Sequence, residues 1–198
     1  MMEMKRRKED EQSMSDMDLV RGALAGDSRA TELLYKRFFS FAMSICIRYT
    51  KNHEEAMELV NDSFMKVLAN ISDFDGSRSF MAWYGRILVN SSVDNYRKNS
   101  RWQSHNKLMD DQVLAGEPED PPVHSELSAK EILSLFSHLP ENYKIIFNLY
   151  EIEGYTHDEI ALMLDISASA SRTILSRAKK MLRTLYTRSF NPEKRSHE

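Results

Sequence analysis

The chain is poor in the residues that staple, kink or break a backbone. Cys46 is the only cysteine among 198 residues, so no disulfide can form within the chain. A reducing compartment suits that composition, and a cytoplasmic protein is the expectation. Cys46 stands among Phe41, Ala42, Ile45 and Tyr49, where it reads as a small core hydrophobe. With only 6 glycines and 5 prolines, and few alternating β-branched runs, helices are expected throughout. No apolar run is long enough to span a bilayer. Lys5-Arg6-Arg7-Lys8 is followed by Glu9-Asp10-Glu11, where a secretion signal would carry its apolar core. Charge of one sign is not in excess. The net charge of −3 excludes a generally basic nucleic-acid coat, so any contact with DNA must come from local patches.

Catalytic signatures are missing as well. There is no Walker A loop, Gly-rich dinucleotide loop or nucleophile elbow. His53, His105, His124, His138, His157 and His197 are scattered, and no Glu-x-x-His pair or second zinc-helix histidine accompanies them. A non-enzyme is expected, with no catalytic residue, metal or cofactor and no small-molecule substrate.

What is present is segregated charge on helical patterns. Arg86, Arg97, Lys98, Arg101 and Lys107 form one basic region, and a second lies between Thr156 and Glu198. Between them stand Asp110, Asp111, Glu117, Glu119, Asp120 and Glu126, with Gly116, Pro118, Pro121 and Pro122. That mixture predicts a flexible acidic linker over 102–127. The fold class expected is all-α, with two helical domains at 16–101 and 128–187 and tails at 1–15 and 188–198. Helices are predicted over about 16–25, 28–50, 54–69 and 79–98 in the first domain. The second is predicted to hold Ile132, Leu135 and Phe136, then a helix over 141–152 with Tyr143, Ile146, Phe147 and Tyr150 inward. Inward positions in the first are Leu34, Phe38, Phe41, Ile45 and Tyr49; then Ala56, Val60, Phe64 and Val67; then Phe80, Trp83, Tyr84, Ile87 and Ser91.

The stretch Gly154–Arg183 organises the chain. Thr156 with Glu159 makes a capping box, and Ile160, Ala161 and Leu164 share one face. Asp165-Ile166-Ser167 interrupts the pattern, and Asp165 tolerates a left-handed turn. Ser167 or Ser169 can cap a second helix, with Ile174, Leu175, Ala178, Met181, Leu182 and Leu185 on its apolar side. Its other side carries Arg172, Thr173, Ser176, Arg177, Lys180 and Arg183. Two helices joined by so short a turn, the second polar and basic, are what a DNA-binding helix-turn-helix requires.

Three ordered motifs resemble the bacterial RNA polymerase sigma factors of the small extracytoplasmic-function type. The first is His53-Glu54-Glu55-Ala56 with Leu59-Val60-Asn61-Asp62-Ser63-Phe64. The second runs from Ser79-Phe80-Met81-Ala82-Trp83-Tyr84-Gly85-Arg86-Ile87 through Asn90 and Asp94 to Tyr96-Arg97-Lys98. The third runs from Leu139-Pro140 through Gly154-Tyr155-Thr156 to Leu175-Ser176-Arg177-Ala178-Lys179-Lys180. The resemblance implies a winged-helix-like, region 4 type of helix-turn-helix at the C-terminal end. It also implies that core polymerase, through its largest subunits, docks on Glu58, Asn61, Asp62 and Lys66. Arg78, Arg86, Asn90, Arg97, Lys98 and Arg101 would meet the melted downstream promoter element. Ser169, Arg172, Thr173, Ser176, Arg177, Lys180 and Arg183 would meet the upstream element as duplex. A membrane-tethered anti-sigma protein is a frequent partner in the family; the chain itself is not expected in the membrane. Three departures stand out: Asn61-Asp62 replaces the usual Gln-Glu, Ser171 stands where a buried valine is common, and Ile174 where an arginine is common. Two other readings compete: a helix-turn-helix regulator acting without polymerase, which would dimerise on a symmetric site, and a helical-bundle metalloprotein.

Overall fold

The computed structural model describes residues 14–104 and 134–190. The expected linker from residue 105 on, nearly all of the N-terminal tail, the end of the C-terminal one and Ile132 lie outside them; residues 102–104, expected in the linker, instead continue the helix predicted over 79–98. Backbone contacts divide the chain into two compact units, Met1–Ser92 and Val93–Glu198, with the division falling inside a helix. No strand occurs among the described residues.

In the first unit each helix begins where a side chain can accept the first free amides. Helix α1, Asp16–Leu24, starts on a capping box between Ser15 and Asp18. Asp27 caps α2, Ser28–Cys46, and Asn52 caps α3, His53–Ala69. A 3-10 turn, Ile71–Asp73, leads to α4, Phe80–Ser104, where the Ser79 hydroxyl accepts the Ala82 amide at 3.2 Å. Helix α2 stops four residues before the predicted end. Residues 47–50 turn instead, and the Thr50 hydroxyl closes the turn by donating to the Cys46 carbonyl at 3.1 Å. Asn52 takes an extended backbone to start α3, so the chain must leave the helix before it.

The inward stripes differ in detail from the predicted ones. In α2 the stripe is Ala30, Leu34, Phe38, Ala42, Ile45 and Cys46, while Phe41 and, in the turn beyond the helix, Tyr49 are half-buried. In α4, Phe80, Tyr84, Leu88 and Ser91 are buried, whereas Trp83 and Ile87 are half-buried. The burial maximum follows the line that faces α2 and α3 together. Phe80 lies 4.9 Å from Phe38 of α2, and Tyr84 lies 6.2 Å from Phe64 of α3, centroid to centroid. Burial pushes the Tyr84 phenol well up from its ordinary value. Cys46 is fully buried, as read from sequence, and burial raises its thiol to about 12, so it is inert as a nucleophile.

The second unit contains a helical turn at 134–137, α5 at Glu141–Phe147, α6 at His157–Leu164 and α7 at Ala168–Phe190. The predicted single helix over 141–152 changes at Asn148 into a π-helical segment, Asn148–Ile152. The wider turn keeps Leu149 fully buried and leaves Tyr150 37% exposed, where the regular helical period had put Tyr150 inside. Helix α7 packs on both α5 and α6. The core between them is Leu139, Ile145, Ile146, Leu149, Ile160, Leu164, Leu175 and Ala178.

Gly22 sets the approach of α1 to α2. A Cβ at that position would stand 2.5 Å from the Ala30 Cβ. Gly22→Ala is therefore expected to force the helices apart and to cost about 1–3 kcal/mol, the usual range for overpacking. The check is a lower urea midpoint with an unchanged slope; an equal or higher midpoint would refute the close contact.

Candidate nucleic-acid interface

The helix-turn-helix is built as its sequence pattern required. The Thr156 amide donates to the Glu159 carboxylate at 2.8 Å, and the Glu159 amide donates back to the Thr156 hydroxyl at 3.3 Å. The bonds from the Thr156 backbone and hydroxyl hold the Glu159 carboxyl below the ordinary range. Helix α6 ends at Asp165, whose backbone is left-handed at φ 57° and ψ 49°. An aspartate accepts that conformation where a β-branched residue would not. The Ala161 carbonyl accepts the Ile166 amide at 3.1 Å and closes the turn. Of the two possible caps for α7, Ser167 serves, accepting the Ala170 amide at 3.0 Å. Ser169 faces solvent.

One side of α7 is buried through Ser171, Leu175 and Ala178, with Ile174, Met181, Leu182 and Leu185 half-buried beside them. The other side brings together Ser169, Arg172, Thr173, Ser176, Arg177 and Arg183, all exposed, with Lys180 half-buried. These are the residues singled out from sequence for the upstream element, and they lie on successive turns of one helix. The Thr173 hydroxyl already donates to the Ser169 carbonyl at 3.0 Å. Lys179, next to them in sequence, is engaged elsewhere. Its ammonium lies 2.6 Å from the Glu151 carboxylate and ties α7 to the π segment.

The sequence reading missed His157. Its ring stacks on Tyr150 at 4.3 Å and 22°, and its Nδ1 is hydrogen-bonded to the fully buried Ser171 hydroxyl at 2.9 Å. Tyr150, Gly154, Tyr155, Thr156, His157, Asp158 and Arg172 line an open cleft of about 450 Å³ beside it. The one hint in the sequence was Ser171, a polar residue at a position where the family commonly buries a valine. The π segment that turns Tyr150 toward His157 has no sequence signature here.

The N-terminal candidates lie on two helices. On α3, Glu58, Asn61, Asp62 and Lys66 are all exposed. Two of them also serve the fold. The Tyr35 hydroxyl donates to Asn61 Oδ1 at 2.7 Å, and the Lys66 ammonium donates to Ser91 Oγ of α4 at 3.0 Å. Met57, 38% exposed, and Met65, 65% exposed, flank the same face and were not picked out from sequence. On α4, Arg86, Asn90 and Lys98 are exposed and Arg97 is half-buried. The Arg101 side chain lies outside the described residues. Arg78 is exposed on the preceding loop. That loop is anchored by Phe74, whose ring lies 5.7 Å from Phe80 and 5.3 Å from Trp83. The Ser77 amide donates to the Asp75 carboxylate at 2.8 Å, and the Ser77 bonds lower its pKa.

Burial, and then the Arg172 guanidinium, hold the His157 imidazole below its ordinary value; Asp158 opposes them and Lys179 assists. The unfolded chain thus binds this proton more tightly than the folded one. The contribution to stability is complete above the ordinary histidine value of about 6.5 and is lost as pH falls from there toward the folded value. An NMR titration of the His157 ring is expected to give a midpoint below about 6.5. A midpoint at or above the ordinary value would reverse the sign of this linkage.

Comparison with known proteins finds two regions in order along the chain, the first running past the division at Ser92. Residues 34–101 match the model of Sigma-70 region 2, and residues 129–182 match that of Sigma-70, region 4. Together they span more than half of the chain. The ECF RNA polymerase sigma-E factor of Haemophilus influenzae is 25% identical over 181 residues, covering 86% of this chain and 95% of its own. The ECF RNA polymerase sigma factor SigM of Bacillus subtilis is 26% identical over 163 residues, 81% of this chain and 97% of its own. SigW of Bacillus subtilis is 28% identical over 152 residues, 70% of this chain and 79% of its own. A solved complex of the sigma factor RpoE with the anti-sigma factor NepR from Bartonella quintana overlays with a TM-score of 0.48 at 20% identity, covering 78% of this chain and 95% of that one. With both sigma regions in order on an all-α chain, and with relatives aligned along most of their length, the protein belongs to the extracytoplasmic-function sigma factors, which direct RNA polymerase to promoters at the start of transcription.

Proposed function

We propose that the two units divide the work of initiation between them. The C-terminal unit binds the upstream promoter element as duplex DNA through the exposed side of α7. Arg172, Thr173 and Ser176 meet base edges, while Arg177, Lys180 and Arg183 neutralise phosphates. The observation that carries this reading is the sidedness of α7. Leu175 and Ala178 are buried, while Arg172, Thr173, Ser176 and Arg177 on the other side are exposed. The N-terminal unit binds core polymerase through α3 and holds the melted downstream element with Arg78 and the exposed side of α4. A single strand needs cations along its backbone and a surface that receives an unstacked base. Arg86 and Asn90 supply the polar side, while Phe80 and Tyr84 are committed to the core. Phosphoryl transfer belongs to the polymerase; this chain supplies binding energy and position. The acidic linker over 102–127 suits the basic channels of the polymerase. The site of action follows the polymerase, and no helix among the described residues is long and apolar enough to cross a membrane. An anti-sigma partner is proposed on the family resemblance.

Two substitutions separate the units. Arg177→Ala with Lys180→Ala is expected to lower run-off transcription from duplex promoters about tenfold or more, to flatten its salt dependence, and to leave core polymerase binding intact. Equal loss of polymerase binding would refute the division. Asp62→Lys on α3 is expected to weaken core polymerase binding about tenfold through charge reversal on an exposed docking face, with the melting temperature unchanged. Unchanged binding in a pull-down titration would remove that face from the interface.

A further inference from the structure

We propose that His157 is a positioning residue for promoter recognition: by joining Tyr150 to Ser171 it sets the rotation of the recognition helix about its own axis. This rests on the reading of α7 as the duplex-binding helix. Three elements meet at the imidazole. Tyr150 of the π segment stacks on its face at 4.3 Å, His157 itself begins α6, and Ser171 in α7 is bonded to its Nδ1 at 2.9 Å. Ser171 has no exposed surface, and it immediately precedes the exposed Arg172 and Thr173. Among the described residues of α7, Ser171 is the one polar residue that is completely buried.

The geometry explains why so small a bond matters. Leu175 and Ala178 hold α7 against the core by apolar packing, which is non-directional and tolerates rolling. A hydrogen bond at the first turn is directional. A roll of about 10° moves a side-chain tip some 5–6 Å from the helix axis by about 1 Å. That is enough to spoil a base-edge hydrogen bond and too little to disturb a flexible cation beside a phosphate. The contact therefore acts on specific recognition and leaves general affinity for DNA alone. Arg172 and Lys179 on α7 and Asp158 on α6 surround the ring, and Lys179 is held by Glu151 of the π segment. The bond to Ser171 is available in either charge state, because the serine hydroxyl can both donate and accept.

The test uses the full chain with core polymerase on two templates: a promoter fragment mapped by run-off transcription with the wild-type holoenzyme, and the same fragment with its upstream element scrambled. Three variants are compared, His157→Phe, His157→Asn and Ser171→Ala. His157→Phe keeps the stack and removes the bond. His157→Asn places an amide where it can bond Ser171. Ser171→Ala removes only the hydroxyl and serves if the histidine variants fold poorly. His157→Phe and Ser171→Ala are expected to lower the ratio of the two signals about tenfold, the scale of one lost base contact. The scrambled template should be transcribed as by the wild type, and His157→Asn should recover most of the ratio. An unchanged ratio overturns the proposal. A parallel loss on both templates that follows the melting temperature also overturns it, because that is what a purely structural role would give. Arg177→Ala with Lys180→Ala serves as the control. If that pair leaves transcription on the mapped promoter unchanged, the duplex-binding face itself is wrong and the inference falls with it.

Discussion

The N-terminal unit depends on one packing constraint: α4 must seat Phe80 and Tyr84 against α2 and α3 at once. Phe80 meets Phe38, Tyr84 meets Phe64, and Tyr35 closes the ring chain on Phe64 at 5.1 Å. Each buried aromatic of this kind contributes on the order of 2–3 kcal/mol by removal from water, and each ring pair about 1 kcal/mol more. Once that edge of α4 is committed to the core, Arg86 and Asn90 have only solvent to face. Phe74 extends the same ring cluster into the loop and so fixes where Arg78 is presented. The surface proposed to hold a single strand is thus aimed by the ring cluster beneath it.

The C-terminal unit solves an equivalent problem with less apolar surface. Its turn is made by the left-handed Asp165, and the helices on either side start on caps at Thr156 and Ser167, each worth roughly 1 kcal/mol. Polar contacts then take over where packing is thin. Lys179 with Glu151 and His157 with Ser171 tie α7 to the π segment and to α6. A serine at a fully buried position is tolerated only because its hydroxyl has a partner; left without one it would cost about 1–3 kcal/mol.

The same double use of side chains recurs on the proposed polymerase face. Asn61 and Lys66 are exposed, yet each bonds a neighbouring helix, through Tyr35 and Ser91. Substituting either would disturb the placement of α3 as well as its surface. Asp62, Met57 and Met65 report more cleanly on docking. The shorter Asn61 is the length at which the side chain meets the Tyr35 hydroxyl at 2.7 Å.

Much of this was legible in the residues. Helical periodicity, the Thr156–Glu159 box, the turn at Asp165 and the sidedness of α7 follow from local rules that act over three or four positions. Those rules sufficed for the fold class, for the burial of Cys46, and for the set of side chains that share one face of α7. What local rules do not contain is the shape of the partner a helix meets. The stripe of α4 ran through Leu88 rather than Trp83 and Ile87 because two helices, not one, face it. Helix α2 ended at Cys46 because the next helix needed an extended cap. The π segment turned Tyr150 outward onto His157, and that in turn gave the buried Ser171 its bond. Each of these depends on contacts between elements distant in sequence, so the chain alone determined which residues face outward on α7, and only the tertiary structure decided what holds that helix in its rotation.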